Sequence, residues 1–466
     1  MAQQLIEQWH LAVLRVELDL SETEPAVVTE LVSYTQDAPR SVWVRRHLLE
    51  AFGLGTETGP PGQLHVPDDL VSQIGTSLYD SDLRGETSLW LRLVPPYGYL
   101  GAVPWESALL SVTDVPLLRV PDRLPRAVDP GRRWTVAIGI SAYAGSSWSG
   151  QYVSDLSQAI LNSTDCEIDV FADAGTVEQL RRLNVVESQW LHIHQPAEAG
   201  AASRSRFSRM VPRFAVQQMQ PGRIWADWIA TGLNGRAVRA LHVVLDSTWD
   251  FDRAVLALCT DPDQPSDPGN CTFVSAEDVA QLGDDLGGAT LSFGAPPDVT
   301  SEMAMRVLVD ALGQQRPGAT IFSSITGDPA GAALAAAHAF LAGEERPIPR
   351  HPSMFAYLQP EQVRSALVTD WPEPRSPDEP DPLPGRVLPT GFDPVVQPEL
   401  DDYYAHAETV PAWVAASERY IGSQLAHLSQ PLTTPESVPN KQAYDQGATQ
   451  ALAEIQALVA KHARSS

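Results

Sequence analysis

Strand-like and helix-like segments alternate through the middle of the chain, and this alternation constrains the fold more than any other feature. Residues 134–140 form an apolar run typical of a buried strand, and a helical pattern over residues 153–161 follows. Residues 167–171 repeat the strand pattern, and another helix begins near residue 176. Because successive strands joined by helices pair in parallel, we predict an α/β fold with a mostly parallel central sheet and helices on both faces.

Composition divides the chain into four segments. Residues 1–65 contain an alternating run that predicts a half-buried strand, followed by a helical stretch over residues 26–33. Residues 66–345 hold the alternating strands and helices. In residues 346–400 prolines recur among acidic side chains, which predicts an extended tether. Residues 401–466 return to helical patterns, so we predict a C-terminal helical segment at the end of a proline-rich acidic linker.

The C-terminal segment carries two helical patterns, over residues 411–428 and 441–462. The second places apolar residues three and four positions apart, so they share one helix face. Such a face either packs on the domain or docks a partner, and the pattern leaves both alternatives open. If it docks a second copy of the chain, the protein is an oligomer held through these helices.

A strongly acidic composition limits the partners of this protein. The formal net charge is −26 and the pI is near 4.7, so the overall field repels phosphate backbones. The best basic cluster, Arg204 to Arg209 with Arg213, is short. We therefore predict no nucleic-acid role and expect a protein partner, for which a basic surface is the natural electrostatic complement.

The cysteine content and the lack of a signal-peptide pattern predict a cytoplasmic protein. Three cysteines provide no disulfide framework and no paired zinc spacing, which is typical of a reducing compartment. The first residues lack the features of a signal peptide, and no run of about 18 apolar residues occurs. No glycine-rich nucleotide motif is present either. We predict no membrane segment, no metal and no cofactor.

Residues 100–107, with the sequence Leu-Gly-Ala-Val-Pro-Trp-Glu-Ser, follow the apolar run at residues 89–94 across a Pro-Pro-Tyr-Gly turn. The pattern predicts two short strands and a capped turn. Pro104 is favoured in the first turn of a helix, and Trp105 would anchor that helix in the core. The negative charge of Glu106 would interact favourably with the helix dipole at the N-terminus. These roles explain each residue singly but not their combination.

The combination resembles the Pro-Trp-Glu segment of CHAT domains, a family of caspase-like cysteine peptidases from bacterial conflict and cell-death systems. The order of the strands and helices on both sides extends the resemblance over roughly residues 66–345. The resemblance implies a caspase-like α/β/α sandwich. It also implies a histidine and a cysteine at two strand ends, where an imidazole helps a thiolate to form.

The residues at these positions depart from the family pattern. His192 and His194 lie in the strand-like residues 188–196 and would share one strand face, but the His-Gly pair of the family is absent. In the later strand, Ser247 or Thr248 stands where the family has its cysteine. The resemblance therefore implies a degenerate dyad at His194, His192 and Ser247, without a thiol nucleophile.

A competing alignment places Asp246 at the histidine position and Gly294 or Ala295 at the cysteine position. It also lacks both catalytic groups. Cys259 and Cys271 lie in apolar strand-like runs, so we interpret them as small buried hydrophobes. His242, between Leu241 and Val243, is expected to be a hydrogen-bonded core histidine. Four tryptophans near the expected site either belong to the core or fill the cleft: Trp190, Trp225, Trp228 and Trp249.

We therefore predict a non-catalytic, CHAT-like pseudo-peptidase. The resemblance implies an interaction, scaffold or regulatory role in a prokaryotic conflict or stress-signalling system. Its partner would be a protein, such as an effector or peptidase of the same system.

Three other possibilities remain open. An active hydrolase would use Ser247 with His192 or His194, or a displaced cysteine at 259 or 271, but an alcohol needs strong activation and an oxyanion hole. A metal site at the two histidines lacks a defined third ligand. An assembly subunit would oligomerise through the C-terminal helices.

Overall fold

The computed structural model describes residues 11–19, 25–34, 39–54, 64–79, 83, 88–94, 97–121, 133–142, 146–200, 222–250, 253–264, 270–316, 318–343 and 350–358. Both C-terminal helical patterns, the basic cluster at residues 204–213 and the predicted linker apart from residues 350–358 lie outside these ranges. Met354–Tyr357, inside the predicted linker, form a strand paired in the sheet and not an extended tether. The chain divides into two compact units.

The first unit contains an antiparallel meander of β1 (Leu11–Asp19), β2 (Ala26–Tyr34) and β3 (Pro39–Leu48). The strand predicted before residue 20 is confirmed. The helix predicted over residues 26–33 is wrong, because this segment pairs along its whole length with β1, from Leu11↔Tyr34 to Asp19↔Ala26. Its run of β-branched residues favours a strand once neighbours are available to pair with it.

The second unit is built from strands and helices that alternate along the chain. The strands are β4 (Leu89–Val94), β5 (Leu117–Arg119), β6 (Trp134–Ser141), β7 (Cys166–Ala172), β8 (Leu191–His194), β9 (Ala240–Asp250), β10 (Arg253–Cys259), β11 (Cys271–Val274), β12 (Thr290–Ala295), β13 (Ala319–Ser324) and β14 (Met354–Tyr357). The helices are α1 (Asp68–Leu78), α2 (Trp105–Leu110), α3 (Ser149–Ser163), α4 (Ala174–Arg182), α5 (Gly222–Gly232), α6 (Ala276–Asp285), α7 (Val299–Gln315) and α8 (Ala332–Leu341).

The sheet of this unit has the strand order β4-β5-β14-β13-β12-β9-β6-β7-β8. The pairs between β12 and β8 in this order, and the β12–β13 pair, are parallel, whereas β13 and β14 are antiparallel. The predicted α/β fold with a mostly parallel sheet is confirmed. One short strand predicted at the 100–107 motif is wrong, because a 3-10 helix, Gly98–Ala102, occupies its place before α2.

Helices cover both faces of the sheet. Leu241 of β9 is buried in a core that includes Met305 of α7. The next residue, His242, points to the opposite face and contacts Tyr152 of α3. This arrangement is consistent with an α/β/α sandwich.

Strand β9 continues beyond the parallel sheet. Its last residues turn back into β10 and pair with it in antiparallel register, from Asp250↔Arg253 to Asp246↔Ala257. Strand β10 in turn pairs with β11. The carboxyl end of β9 is therefore held in a three-stranded antiparallel extension.

Candidate functional site

Ser247 lies near the carboxyl end of β9 and is fixed to the start of α7. Its backbone N–H donates to the Ser301 hydroxyl at 2.8 Å, and its own hydroxyl donates to the Ser301 carbonyl oxygen at 2.5 Å. The residue is buried. The hydroxyl proton is thus directed to a backbone carbonyl rather than to a base, and the side chain joins a strand to a helix.

His192 and His194 lie on β8, the last strand in the sheet order, and they do share one face. His194 Nε2 is 2.8 Å from Asp169 Oδ1, and its ring stacks on Phe171 with centroids 4.2 Å apart. His192 Nε2 is 3.3 Å from Glu167. Both carboxylates come from the neighbouring strand β7, so the two histidines pair with acidic residues of their own sheet edge.

Arg236 completes this edge cluster. Its guanidinium donates to both oxygens of Asp169, at 2.9 and 3.0 Å, and also to Glu167. Asp169 has almost no exposed surface, whereas His192 and Arg236 are open to solvent. Since the arginine takes the carboxylate positions that a cation would need, the cluster serves to stabilise the strand edge. Within the described ranges, no group of three or more His, Cys, Asp or Glu side chains is arranged to hold a metal ion.

The structure does not bring His194 and Ser247 together. Strands β6 and β7 lie between β9 and β8 in the sheet. Three strand spacings of about 4.8 Å separate the two strands by roughly 14 Å, well beyond the reach of a hydrogen bond. A serine nucleophile at 247 therefore cannot use either β8 histidine as its base.

The competing alignment falls on neighbouring strands. Strands β9 and β12 pair directly, with Val244 opposite Gly294. Asp246, which is half-buried, lies where β9 leaves the parallel sheet and pairs with β10, and Ala295, which is fully buried, ends β12. Neither of these two positions supplies an imidazole or a thiol.

Cys259 lies in the core and is not open to a cleft. It is fully buried at the end of β10, and its thiol donates to the Asp261 carbonyl oxygen at 3.1 Å. Its backbone N–H donates to the Ser141 hydroxyl, and its carbonyl oxygen accepts from Trp225 Nε1. The predicted burial of this residue is confirmed, whereas Cys271 on β11 is partly exposed.

The tryptophans near the expected site have different environments. Trp225 and Trp228 of α5 are buried against each other in the core, with ring centroids 5.4 Å apart. Trp249 meets the edge of Tyr99 with centroids 6.0 Å apart. Trp190 is partly exposed beneath Arg133, whose guanidinium lies 3.8 Å from the ring centroid. Trp225 and Trp228 are therefore core residues.

Carboxylates at the carboxyl edge of the sheet cap the helices that follow the strands. Asp173 accepts from the N–H groups of Thr176 in α4 and of Ala142. Asp298 accepts from Ser301 N–H at 2.7 Å in α7. Asp328 accepts from the first N–H groups of α8. Burial raises the pKa of Asp173, while the bonds from Ala142 and Thr176 act against that shift. These three acids satisfy helix N-termini.

The Trp-Glu motif forms the centre of a buried ionic network. Glu106 binds Arg119 through both oxygens, with Nε–Oε1 2.8 Å and NH2–Oε2 3.1 Å. Arg119 also donates to Asp310 of α7 and to the Gly101 carbonyl oxygen, both at 2.6 Å. The Tyr357 hydroxyl of β14 donates to the same Asp310 oxygen at 2.6 Å. The network joins α2, β5, α7 and β14.

Burial and neighbouring charges in this network shift the pKa values of Arg119 and Tyr357. Burial opposes the charge on Arg119, but Glu106 and Asp310 outweigh it and raise the pKa of the guanidinium. Burial and the adjacent Asp310 raise the pKa of Tyr357. Arg306 stacks over Phe322 and Phe355 and lies 3.6 Å from Glu106. Two arginines thus balance two carboxylates. Local sequence patterns do not reveal the buried ion pairs of Arg119, because its partner Asp310 lies 191 positions away along the chain.

Two histidines are buried in the layer between the sheet, α3 and α8. His242 lies 3.2 Å from the Tyr152 hydroxyl and 3.0 Å from the Ser292 hydroxyl, which confirms the core histidine predicted here. Burial and the nearby His338 lower its pKa to about 3. Burial lowers the pKa of His338 to about 4, and neither of its ring nitrogens has a hydrogen-bond partner among the described residues.

Comparisons of the chain with protein-family models, with curated proteins and with solved structures found no match. In the described part of the chain, no helix is long and apolar enough to cross a membrane.

Proposed function

We propose that this protein is a non-catalytic, CHAT-like pseudo-peptidase of the cytoplasm. It serves as an interaction, scaffold or regulatory component of a prokaryotic conflict or stress-signalling system. The observation that carries the proposal is the direct pairing of β9 with β12, because Asp246 and Ala295 stand on these strands at the positions where the resemblance would place the histidine and the cysteine.

The strand arrangement supports the caspase-like interpretation over a random α/β layout. A histidine and a cysteine that act together must lie on neighbouring strands, because proton transfer requires hydrogen-bond reach. Strands β9 and β12 are neighbours, and the segments that resemble the family occur around them in the same order. The neighbouring positions of β9 and β12 support the competing alignment, which contains no dyad.

The contacts of Ser247 and Cys259 support the absence of catalysis. Each side chain donates its proton to a backbone carbonyl oxygen, and both residues are buried. A nucleophile needs an accessible atom and an adjacent base. The hydrolase alternative therefore has no geometric support at these positions.

A first experiment tests catalysis directly. The purified full chain is treated with a fluorophosphonate, with Ser247→Ala as the matched control, and we expect no adduct at Ser247. Alkylation of Cys259 and Cys271 by iodoacetamide should be slower in the folded protein than in urea. An adduct at Ser247 that is lost in S247A, or a thiol alkylated faster in the folded state, overturns the non-catalytic assignment.

A second experiment tests the interaction role. The charge of −26 favours a basic protein partner, such as an effector or peptidase of the same system. Binding of such a partner should weaken as ionic strength rises, since salt screens exposed charges. Partners captured by the full chain at low salt should be enriched in basic proteins and released at high salt. Capture that ignores both charge and salt contradicts an electrostatic partner.

Oligomerisation through residues 401–466 stays a prediction. Its test is the mass of the full chain and of a chain ending at residue 400, measured by light scattering. A fall to the monomer mass on truncation supports the prediction, and an unchanged mass removes it.

A further inference from the structure

Two cysteines face each other across the antiparallel pair formed by β10 and β11. Cys259 is the direct register partner of Cys271. Directly opposed residues of an antiparallel pair project to the same face of the sheet. Neither cysteine forms a disulfide in the structure. The two thiols are therefore side by side although 12 positions separate them in the sequence.

The backbone hydrogen bonds define the type of this pair. The Cys259 N–H donates to Ser141, and its carbonyl oxygen accepts from Trp225, so neither group turns toward β11. The next position is bonded across the strands, with Thr260 N–H donating to the Asn270 carbonyl oxygen at 2.8 Å. Cys259 and Cys271 thus occupy a non-hydrogen-bonded position, where opposed Cα atoms lie about 4.5 Å apart.

This spacing suits a covalent link. Disulfides span Cα separations of about 4.4 to 6.8 Å, so the pair can be bridged without moving the strands apart. The Cys259 thiol makes weak contacts with two carbonyl oxygens of the following turn, that of Asp261 at 3.1 Å and that of Gln264 at 3.9 Å. Loss of these contacts is a small cost beside the new covalent bond.

The two thiols differ in access. Cys259 is fully buried, whereas Cys271 is partly exposed. Phe273, two residues further along β11 and on the same face as Cys271, is 58% exposed, so this face of β11 meets solvent. A small reagent therefore reaches Cys271 first, and Cys259 is positioned to react second.

We propose that Cys259 and Cys271 are a modification site that forms a reversible intramolecular disulfide with a low-molecular-weight disulfide as the oxidant. The Cys271 thiolate attacks one sulfur of the reagent, forms a mixed disulfide and expels one thiolate. The Cys259 thiolate then attacks Cys271 Sγ and expels the second. Two protein thiols are oxidised, one reagent disulfide is reduced to two thiols, and the two protein protons pass to them. The bond closes a ring over residues 259–271 and fixes β11 to β10.

The pair is suited to reversible oxidation rather than to a permanent structural disulfide. Disulfides in reducing compartments are usually transient. The third cysteine, Cys166, is buried on β7, and burial raises its pKa to about 11, so it provides an unreactive internal control. Position and access thus separate one responsive pair from one inert thiol.

The test uses the full chain treated with oxidised glutathione, with reduced glutathione as the parallel control. We expect the thiol titre in denaturant to fall from three to one per chain. Cleavage before aspartate separates the two cysteines at Asp261, Asp263 and Asp267, so the bridge appears as a linked peptide pair about 2 Da lighter than its reduced halves. Dithiothreitol should restore all three thiols.

Matched variants locate the bond. Cys166→Ser should still form the bridge, whereas Cys259→Ser should retain glutathione on Cys271. An unchanged titre of three in the wild-type chain, or a stable glutathione adduct on its Cys271 without the linked peptides, overturns the proposal. If Cys259→Ser fails to fold, the peptide map of the wild type and of Cys166→Ser still decides. This proposal is independent of the pseudo-peptidase assignment, because its readout is a covalent bond and not an activity.

Discussion

Arg119 and Glu106 form a buried two-pronged ion pair, with both carboxylate oxygens bound by one guanidinium. The arginine side chain has no exposed surface. Glu106 lies in the first turn of α2, where its negative charge also complements the helix dipole. Asp310 and the Gly101 carbonyl oxygen accept from the other terminal nitrogen of Arg119. The Trp-Glu motif is therefore a structural centre of this fold.

Replacement of Arg119 should be strongly destabilising. In Arg119→Met the buried carboxylates of Glu106 and Asp310 lose the cation that they share. Removing one partner of a buried ion pair lowers the free energy of unfolding by about 3 to 5 kcal/mol. Guanidinium denaturation of wild type and variant measures the change. The exposed pair of Arg182 and Glu178 on α4 is the control, and Arg182→Ala should change stability by less than about 1 kcal/mol. Equal effects of both substitutions contradict a special role for the buried network.

Glycine 101 should not tolerate a side chain. A Cβ at this position would overlap the Asp310 carboxylate, which Arg119 and Tyr357 hold in place. We expect Gly101→Ala to cost about 1 to 3 kcal/mol, the usual range for overpacking. Gly283 in α6 is the matched control, because a Cβ there meets only ordinary contacts at 3.7 Å or more. Gly283→Ala should stabilise the protein by about 0.5 to 1 kcal/mol in thermal unfolding, and a loss of stability there would contradict this account of the helix.

Stability should fall as the solution becomes acidic because of His242 and His338. Their folded-state pKa values of about 3 and about 4 lie below the ordinary value of about 6.5. The unfolded chain therefore binds more protons between these limits, and stability is lost as pH falls below about 6.5 toward the folded values. His338→Leu should flatten this loss in urea titrations between about pH 7.5 and pH 5. An unchanged slope would exclude His338 as a source of acid sensitivity.

Ser247 should contribute to stability and not to chemistry. Ser247→Ala removes the hydroxyl bond to the Ser301 carbonyl oxygen inside the protein, which costs about 0.5 to 1.5 kcal/mol. Thr76 on α1 makes a similar bond to the Ser72 carbonyl oxygen but is exposed. Thr76→Ala should be neutral or slightly stabilising, because alanine favours the helix. Urea unfolding of both variants compares them, and the reverse order would contradict the assigned role of Ser247.

Local patterns were sufficient for most elements of the α/β unit. The strand predicted at residues 134–140 and the helix near residues 153–161 both form, because continuous apolar runs and helical spacing are local signals. Residues 26–33 were assigned to the wrong state for the same reason. Their apolar residues recur at helical spacing, and only pairing with β1 on one side and β3 on the other favours the extended chain.

The candidate site required knowledge of strand order, which no local pattern carries. Strand β9 follows β8 in the sequence but lies beyond β6 in the sheet, and so His194 and Ser247 are separated. The pairing of Arg119 with Asp310 also could not be predicted from local patterns, because the two residues are 191 positions apart. The facing cysteines depend on a register of two strands that only the folded hairpin fixes.

The distance along the chain between Arg119 and Asp310 also affects how the protein is made. At synthesis rates of about 5 to 20 residues per second, the 191 intervening positions take roughly 10 to 40 s to emerge from the ribosome. During that interval Arg119 can pair with Glu106 but not with Asp310, whose carboxylate completes the network. The α/β unit therefore cannot close its centre until translation has passed residue 310 and Tyr357, and a nascent chain stalled before this point exposes an unfinished core to chaperones and proteases.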